Sequence, residues 1–463
     1  MNRGYHPAVT ASARTARALN PVSWWQGLGR LTRSGSAVEG LSWALYDFAN
    51  TIFSFAIVSF AMGPWTTAAL GEKNGTLAFT VAASLSVALN AAVSPVLGAM
   101  SDRTGGRKRY LFVFTVFCIV PTAVIGFVDI RFGLLAFALA NFGYQAALIY
   151  YDALLPDVAR PETRGKLSGV GVALGYVGSI VSALLLGLTT DANGDITAAS
   201  FVLVGSLFAV FAIPIFVIVR ERQAVLGSFT MGEALRSWSQ LRTTLDHARA
   251  RPGLLRFIVG RFFYTDPINT AIAVMSLFAI NAVGFTQGEA RGVLVGLIVV
   301  AVIASFFWGI LCDRIGPKRT LMLVLASWTV GLLLIGVWLD RIPFLIAGAI
   351  LGSGLGGVAV TDRLLLLRLT RPDEVGEMLG LYGMAGKLSA VVGPLLFGAI
   401  VYVIDPDNGP VAYQVAILSL LVLMVIGYLI VRPVPEGTAP PPDERGLADS
   451  IEPAIVPPGE MPL

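Results

Sequence analysis

Gly98-Ala-Met-Ser-Asp102-Arg103-Thr-Gly105-Gly-Arg107-Lys108 stands between two apolar stretches of this chain. Gly309-Ile-Leu-Cys-Asp313-Arg314-Ile-Gly316-Pro-Lys318-Arg319 stands between two more, 211 residues later. Glycine, aspartate, arginine, glycine and two basic residues recur at the same positions. Arg160-Pro161, Gly165 and Gly169 return as Arg371-Pro372, Gly376 and Gly380 at the same offset. A constant offset through separated motifs means a duplicated unit of about 200 residues, a layout found in membrane transporters built from two halves.

Composition agrees with a membrane protein. Of 463 residues 55% are hydrophobic and 13% charged, against about 25% charged in soluble domains, and the mean hydropathy is +0.74. A net charge of +4 with no basic, aromatic-laced stripe argues against nucleic acid as a partner. The two cysteines, Cys118 and Cys312, sit in or beside apolar runs with no metal-ligand spacing, and His6 and His247 lie outside those runs. No metal or other cofactor is expected.

A bilayer core of about 30 Å takes roughly 20 apolar residues per helix. That rule predicts spans 1 to 6 near 40–63, 77–100, 109–128, 131–152, 168–189 and 199–219. Spans 7 to 12 follow near 256–283, 290–312, 320–339, 342–362, 377–403 and 411–431. The fold expected is all-α, two pseudo-symmetric six-helix bundles over 39–219 and 256–431. A tail (1–38), a linker (220–255) and a proline-rich, disordered tail (432–463) complete the chain. With the N-terminus inside, alternate loops on one side hold nearly all lysines and arginines, which places both termini in the cytoplasm. Trp24-Trp25 reads as an interfacial anchor, and Met231 to Ala250 as an amphipathic surface helix.

The two charged strings match the signature that the major facilitator superfamily carries between helices 2–3 and, in degenerate form, 8–9. Tyr46-Asp47-Phe48-Ala49-Asn50, and Tyr151-Asp152-Ala153-Leu154-Leu155-Pro156-Asp157 followed by Arg164-Gly165 and Gly175-Tyr176, narrow the likeness. They resemble the branch called "unknown major facilitator", relatives of fungal vacuolar amino-acid effluxers. The resemblance spans about residues 40–431 and implies secondary transport in a bacterial inner membrane by a monomer. It names no cargo. Span 5 departs from the superfamily's antiporter signature: Gly171 to Ser179 contains no proline.

Polar groups inside membrane helices are costly unless they face a cavity or a partner, so each is a candidate for function. Asp47, Asn50 and Ser54 fall within a sector of about 60° on span 1, and Asn141, Gln145 and Asp152 within about 40° on span 4, beside Tyr144. Span 7 offers Asp266 and Asn269 around Pro267. Span 11 offers Lys387 on the face of Gly376, Gly380 and Gly383, where a neighbouring backbone can approach. Asp47, Asp266 and Lys387 also admit a structural reading as a mutually neutralising network, with Arg261 and Lys387 holding Asp266 ionised. Asn90 and Asn269 read equally well as packing glue, and Gly171, Gly175 and Ser179 as packing residues. Gly352 to Gly357 fits GxGxxG but lies in a span without a preceding strand, so no dinucleotide site is expected. No enzyme motif is present.

The repeated strings imply a cytoplasmic latch. Asp102 is expected to cap span 11 near Gly376, and Asp313 to cap span 5 near Gly165, since helix N-termini favour anions. Arg103, Arg107, Lys108, Arg314, Lys318 and Arg319 complete it, with Asp152, Asp362 and Arg363 also in gating positions. Gly105 and Gly316 permit the tight turns. The function expected is secondary active transport of a small polar solute, an amino acid or similar zwitterion, by alternating access in the lipid bilayer. Asp47 is the first candidate carrier of a coupling proton and Asp266 the second. The alternatives are a multidrug or metabolite efflux pump and a non-transporting sensor on the same fold.

Overall fold

The computed structural model describes residues 21–160, 163–191, 195–222, 242–371, 375–404 and 410–437. Pro161, Pro372, the linker stretch 231–241, most of the N-terminal tail and the proline-rich tail beyond 437 lie outside the described residues. So do the side chains of Trp24, Asp102 and Arg103 and the surroundings of Gly165 and Gly376. The Asp102 and Asp313 caps therefore also fall outside.

Backbone amides in lipid have no water to bind, so apolar segments close their hydrogen bonds internally as helices. Among the described residues, eleven helical runs are long and apolar enough to cross a bilayer. The first, Ala37–Gly98, has 62 residues, far more than the roughly 20 that one crossing needs. It turns back at Gly71, whose φ of 77° and ψ of 162° fit no helix. Spans 1 and 2 meet there, which gives twelve passes.

Span 1 runs from Ala37–Phe53 through a π-helical stretch, Ser54–Ala61, into Met62–Thr104, whose part beyond Gly71 is span 2. Spans 3 to 6 are Arg107–Val124, Ile130–Val158, Arg164–Leu186 and Ala198–Ile218. Spans 7 to 9 are Leu254–Asn281, Gln287–Ile315 and Pro317–Val337. Spans 10 to 12 are Arg341–Leu369, Val375–Ile404 and Val411–Val431. Helix starts carry the local signals they need: Ser36 Oγ accepts from Glu39 N, and Thr286 and Glu289 form a reciprocal capping box.

Packing repeats with the sequence. Span 1 packs on 5 and 6, span 3 on 4 and 6, and span 2 on 4; span 7 packs on 11 and 12, span 9 on 10 and 12, and span 8 on 10. Adding six to each number converts one set of contacts into the other, so the halves are two copies of one bundle. Between the halves, span 2 packs closely on 11, and span 5 touches 8. Leu188, Val217, Phe307, Ile342 and Val403 are each at least 70% exposed, an apolar coat suited to lipid.

The repeated strings make the two turns of one side, hereafter the motif side. Gly105 and Gly316 end spans 2 and 8 at φ of 63° and 86°, where a side chain is strained. Lys108 Nζ donates to Val219 O at 2.5 Å, and Lys318 Nζ to Val431 O at 2.7 Å and Arg432 O at 2.9 Å. Each lysine thus covers the terminal carbonyls of the sixth helix of its own half, where the helix dipole favours a cation. Glu221, just past span 6, accepts from the backbone N of Arg107 at 2.6 Å and of Lys108 at 3.4 Å. Glu436, just past span 12, lies beside Gly316 and pairs with Arg368 at 3.8 Å.

This corrects the expected latch. Arg107 also donates to Ala153 O at 2.6 Å and pairs with Asp157 at 3.8 Å. In this conformation these partners of Arg107 and Lys318 belong to neighbouring helices of their own halves. Asp313, Arg314 and Arg319 lie at the motif side, with Asp313, Arg314 and Arg319 all outside the buried core.

Candidate solute site between the halves

The halves are joined by hydrogen bonds at the side opposite the motifs, the far side. Ser276 donates to Ser59 O. Gln287 Nε2 donates to Asp195 Oδ1 at 2.6 Å. Tyr413 Oη is a hub: it accepts from Asn281 Nδ2 at 2.8 Å, meets Thr76 Oγ1 at 3.4 Å and donates to Glu72 Oε2 at 3.4 Å. Lys73 lies over the Tyr402 ring at 5.0 Å. On the motif side a Cβ added at Gly380 or Gly383 meets nothing within 4 Å. The expected close approach of another backbone to these glycines is therefore corrected: they face open space. The far side is closed, and span 11 stands clear toward the motif side.

The first half supplies two carboxylates to this opening. Asp47 is held among aromatic rings of spans 1 and 4, where Trp43 and Tyr46 stack on Tyr151 with centroids 4.5 and 5.1 Å apart. Tyr46 Oη hydrogen-bonds Thr115 Oγ1 at 2.7 Å, which fixes its ring. Gly171 leaves the room: a Cβ there would lie 3.2 Å from both Asp47 Oδ2 and Tyr151 Oη. Asp152, one residue past Tyr151, is exposed. Consecutive helical residues point about 100° apart, so Tyr151 packs inward while Asp152 looks out.

The second half supplies two cations. Asp152 interacts electrostatically with Lys387 of span 11 and Arg363 of span 10, and Asp47 with Asp152. Asp47, Arg363 and Lys387 are each half-buried. Asp152 of one half thus faces two bases of the other, with Asp47 beside it in its own half.

Asp362, adjacent to Arg363, takes the opposite direction. It is fully buried, bonded by Arg261 and accepting from Tyr264 Oη at 2.6 Å. Arg261 stacks 3.6 Å above the Tyr382 ring centroid. The expected pairings are corrected here: Arg261 belongs to Asp362 and Lys387 to Asp152, while Asp266 has neither. Asp362 sits inside the second bundle rather than at a gate.

A cavity of about 350 Å³ lies further toward the far side. Thr51, Ser54 and Ser59 of span 1 and Ser179 of span 5 give it hydroxyls; Leu294, Leu297, Trp328, Leu351 and Leu355 give it an apolar wall. It begins one helical turn beyond Asp47, since Thr51 Oγ1 donates to Asp47 O at 2.8 Å. The π-helical stretch starts at Ser54 and turns this wall; such segments recur at functional sites. Ser179, which the sequence offers as a packing residue, lines it, whereas Gly175 and Gly178 do pack, against Thr51 and Phe48 O. Gly354 and Gly357, of the GxGxxG string, make room for Trp328 and Trp308.

Other expected cavity residues lie elsewhere. Asn141 is 2% exposed and donates to Ser86 Oγ of span 2 at 2.7 Å, which makes it a helix-packing group. Asn50 and Asp266 are buried, at 4% and 1%. Asn269 Nδ2 reaches Gly386 O and Ser389 Oγ of span 11 at 3.4 and 3.5 Å. Gln145 and Tyr144 are half-buried; Tyr144, its ring 5.2 Å from Phe53, does belong to the site, since it interacts with Ser54 of the cavity wall and with Asp47 and Asp152. Tyr413, Glu221 and Glu436 emerge only from the structure. The Val-Arg-Glu string at 219–221 and Val-Arg-Pro-Val-Pro-Glu at 431–436 are the sequence signal that pairs the two glutamates.

Among solved structures the fold is similar to that of the nucleoside transporter NupG, with a TM-score of 0.64 and 12% identity over 85% of this chain and 98% of that one. It is also similar to a bacterial homolog of the human lysosomal transporter Spinster in an inward-facing, unoccupied conformation, with a TM-score of 0.66, 15% identity, and 87% and 98% covered. In sequence it is similar to the uncharacterized MFS-type transporter YxiO of Bacillus subtilis, 25% identical over 86% of this chain and 95% of that protein. Autophagy-related protein 22 of Coccidioides immitis is 22% identical over 83% of this chain and 76% of its own length. Residues 69–438 match the family described as "Vacuole effluxer Atg22 like". The chain belongs to that family, and it is an integral, multi-pass membrane transporter of the major facilitator kind.

Proposed function

We propose that the protein moves a small zwitterion, an amino acid best fitting the site, by alternating access between its halves. One observation carries this reading: Asp152, with Asp47 beside it, faces Lys387 and Arg363 across the opening. An ammonium group is attracted to the first half and a carboxylate to the second, so a bound zwitterion draws the halves together. The apolar cavity beyond Asp47 takes the side chain, which favours neutral amino acids with apolar side chains. The far-side closure corresponds to an inward-open state in a bacterial inner membrane, with both termini cytoplasmic and a monomer as the working unit. The family's description as effluxers favours export.

Bound solute stabilises the state it selects, so the test is thermal stability of purified protein against amino acids, sugars, organic acids and nucleosides, followed by exchange in vesicles. Stabilisation and exchange by neutral amino acids are expected. Saturable binding without flux points to a sensor and rejects transport by this site. The apolar wall of the cavity favours one second reading, export of amphipathic compounds. Stabilisation by uncharged amphipaths that survives Lys387→Met and Asp152→Asn would select it.

A further inference from the structure

Between spans 7 and 11 lies an acid without a counter-charge among the described residues. Asp266 is 1% exposed, and Thr270, one turn along, is fully buried. Asp266 Oδ1 accepts from Gly393 N at 2.8 Å. Among the described residues, Asp266 Oδ2 and Thr270 Oγ1 have no hydrogen-bond partner. Both crowd the point that a Cβ on Gly393 would occupy, Oδ2 at 2.6 Å from it, so the two oxygens lie close together against the span 11 backbone. The backbone is opened here as well. Pro267 follows Asp266 and Pro394 follows Gly393, and a proline removes the N–H that a helix carbonyl needs.

The charges around span 7 are engaged elsewhere. Arg261, Tyr264, Asp362 and Tyr382 form the buried cluster toward the motif side. Arg363 and Lys387 face Asp152. Arg256 sits at the motif-side end of span 7. Glu72, Lys73 and Tyr413 are bound at the far side, where Glu289 pairs with Arg341 and Arg291 lies against Gly187. Ser54–Ala61 of span 1 has no ionisable residue. An ionised Asp266 would be a buried charge with one backbone hydrogen bond, at a cost of several kcal/mol.

We propose that Asp266 carries the coupling proton of the transport cycle on Oδ2, beside Thr270 Oγ1. The proton enters from water when spans 7 and 11 part, is held while they are closed, and returns to water when they part again. Two converging side-chain oxygens are too few for a hard metal cation, which takes six or more. The proposal rests on the transport reading above and moves the coupling role from Asp47, which faces the solute opening, to Asp266.

The test has two arms, both on the full chain in vesicles of phosphatidylethanolamine and phosphatidylglycerol. Infrared spectroscopy at neutral pH reads the carbonyl band of a protonated carboxyl. The part of that band belonging to Asp266 is expected to vanish in Asp266→Asn and to persist in Asp47→Asn and Asp152→Asn. An unchanged band in Asp266→Asn, or a band that sodium chloride abolishes, overturns the proposal. Asp266→Asn keeps the acceptor for Gly393 N and so mimics the protonated acid, and retained helical signal in the same spectra confirms folding.

The second arm uses L-phenylalanine as probe. A pH gradient of about one unit drives at most about tenfold accumulation for one proton per solute. Asp266→Asn is expected to lose that accumulation and to keep exchange under equal gradients. Thr270→Val is expected to lower accumulation severalfold and Thr270→Ser to preserve it. If the parent exchanges the probe and Asp266→Asn still accumulates it, coupling by Asp266 is wrong and the transport reading stands. If the parent exchanges no amino acid, the transport reading falls. An Asp266 proton found without flux is then a structural one, which also overturns the coupling role.

Discussion

Lys387 of span 11 faces Asp152 of span 4 from the opposite half of the molecule. Charges of opposite sign divided between two moving bodies attract each other when the site is empty and a zwitterion when it is full. Removing one leaves the solute's matching end without its partner. Lys387→Met is expected to weaken binding of a neutral amino acid about tenfold or more, the equivalent of about 1.4 kcal/mol. Asp152→Asn is expected to act in the same direction. Titration of the thermal midpoint against ligand measures both, and unchanged affinity in both variants rejects the site.

Arg261 and Asp362 make the contrasting pair, buried inside one half with Tyr264 as third partner. Removing one member of a buried ion pair typically costs about 3–5 kcal/mol, because the other is left uncompensated, whereas replacing both by apolar groups is often neutral. Asp362→Leu alone is expected to lower the thermal midpoint sharply. Arg261→Met with Asp362→Leu is expected to recover most of the loss. Single and double variants that lose stability equally show that the pair is not the cause.

The two motif lysines give a test of the repeat itself. Lys108 and Lys318 each cover the last carbonyls of the sixth helix in their bundle. Lys108→Met and Lys318→Met are expected to destabilise by similar amounts, about 1–2 kcal/mol each. Because the sites lie in different bundles, the losses should add. Thermal unfolding of the two single variants and the double one checks this, and strong non-additivity places both lysines in one shared latch.

The twelve passes and their pairing are legible in the sequence, since bilayer thickness sets helix length and a constant offset forces the second bundle to repeat the first. The polar run Glu72-Lys73-Asn74-Gly75 suggests a loop between spans 1 and 2. In the structure helix continues on both sides of Gly71, with Glu72 tied to Tyr413 of the other half. The narrow polar stripe on span 4 is real, but its members do not share surroundings. Asn141 meets Ser86 of span 2, while Asp152, three turns along, emerges into the opening. A stripe gives direction about the helix axis and says nothing of which neighbour stands at each height. For the same reason the sequence pattern puts Asp266 beside the cavity, although the Gly393 backbone and the span 11 wall enclose it.

The last prediction concerns the far-side seal. Span 2 approaches span 11 so closely at Gly398 that an added Cβ would overlap Thr80 Oγ1, lie 3.0 Å from Thr80 Cβ and come within 3.4 Å of Leu77 Cα. Backbone on one side leaves little to yield, so Gly398→Val cannot close as the parent does. Tyr413→Phe removes a hydroxyl that binds Asn281, Thr76 and Glu72, at about 1 kcal/mol for each bond lost. Gly398→Val and the lost bonds to Thr76 and Glu72 act across the halves and so on the closed form, whereas Asn281 lies in the same half as Tyr413; a loss of about 1.4 kcal/mol shifts a two-state equilibrium tenfold. The expected result is faster modification of a cysteine placed at Leu77 by a membrane-impermeant maleimide, in a background where buried Cys118 and Cys312 are replaced. Gly398→Val should raise the rate about tenfold or more and Tyr413→Phe less. Modification at the parent's rate in both variants means that the contact of spans 2 and 11 does not close the far side, and the inward-open assignment falls with it.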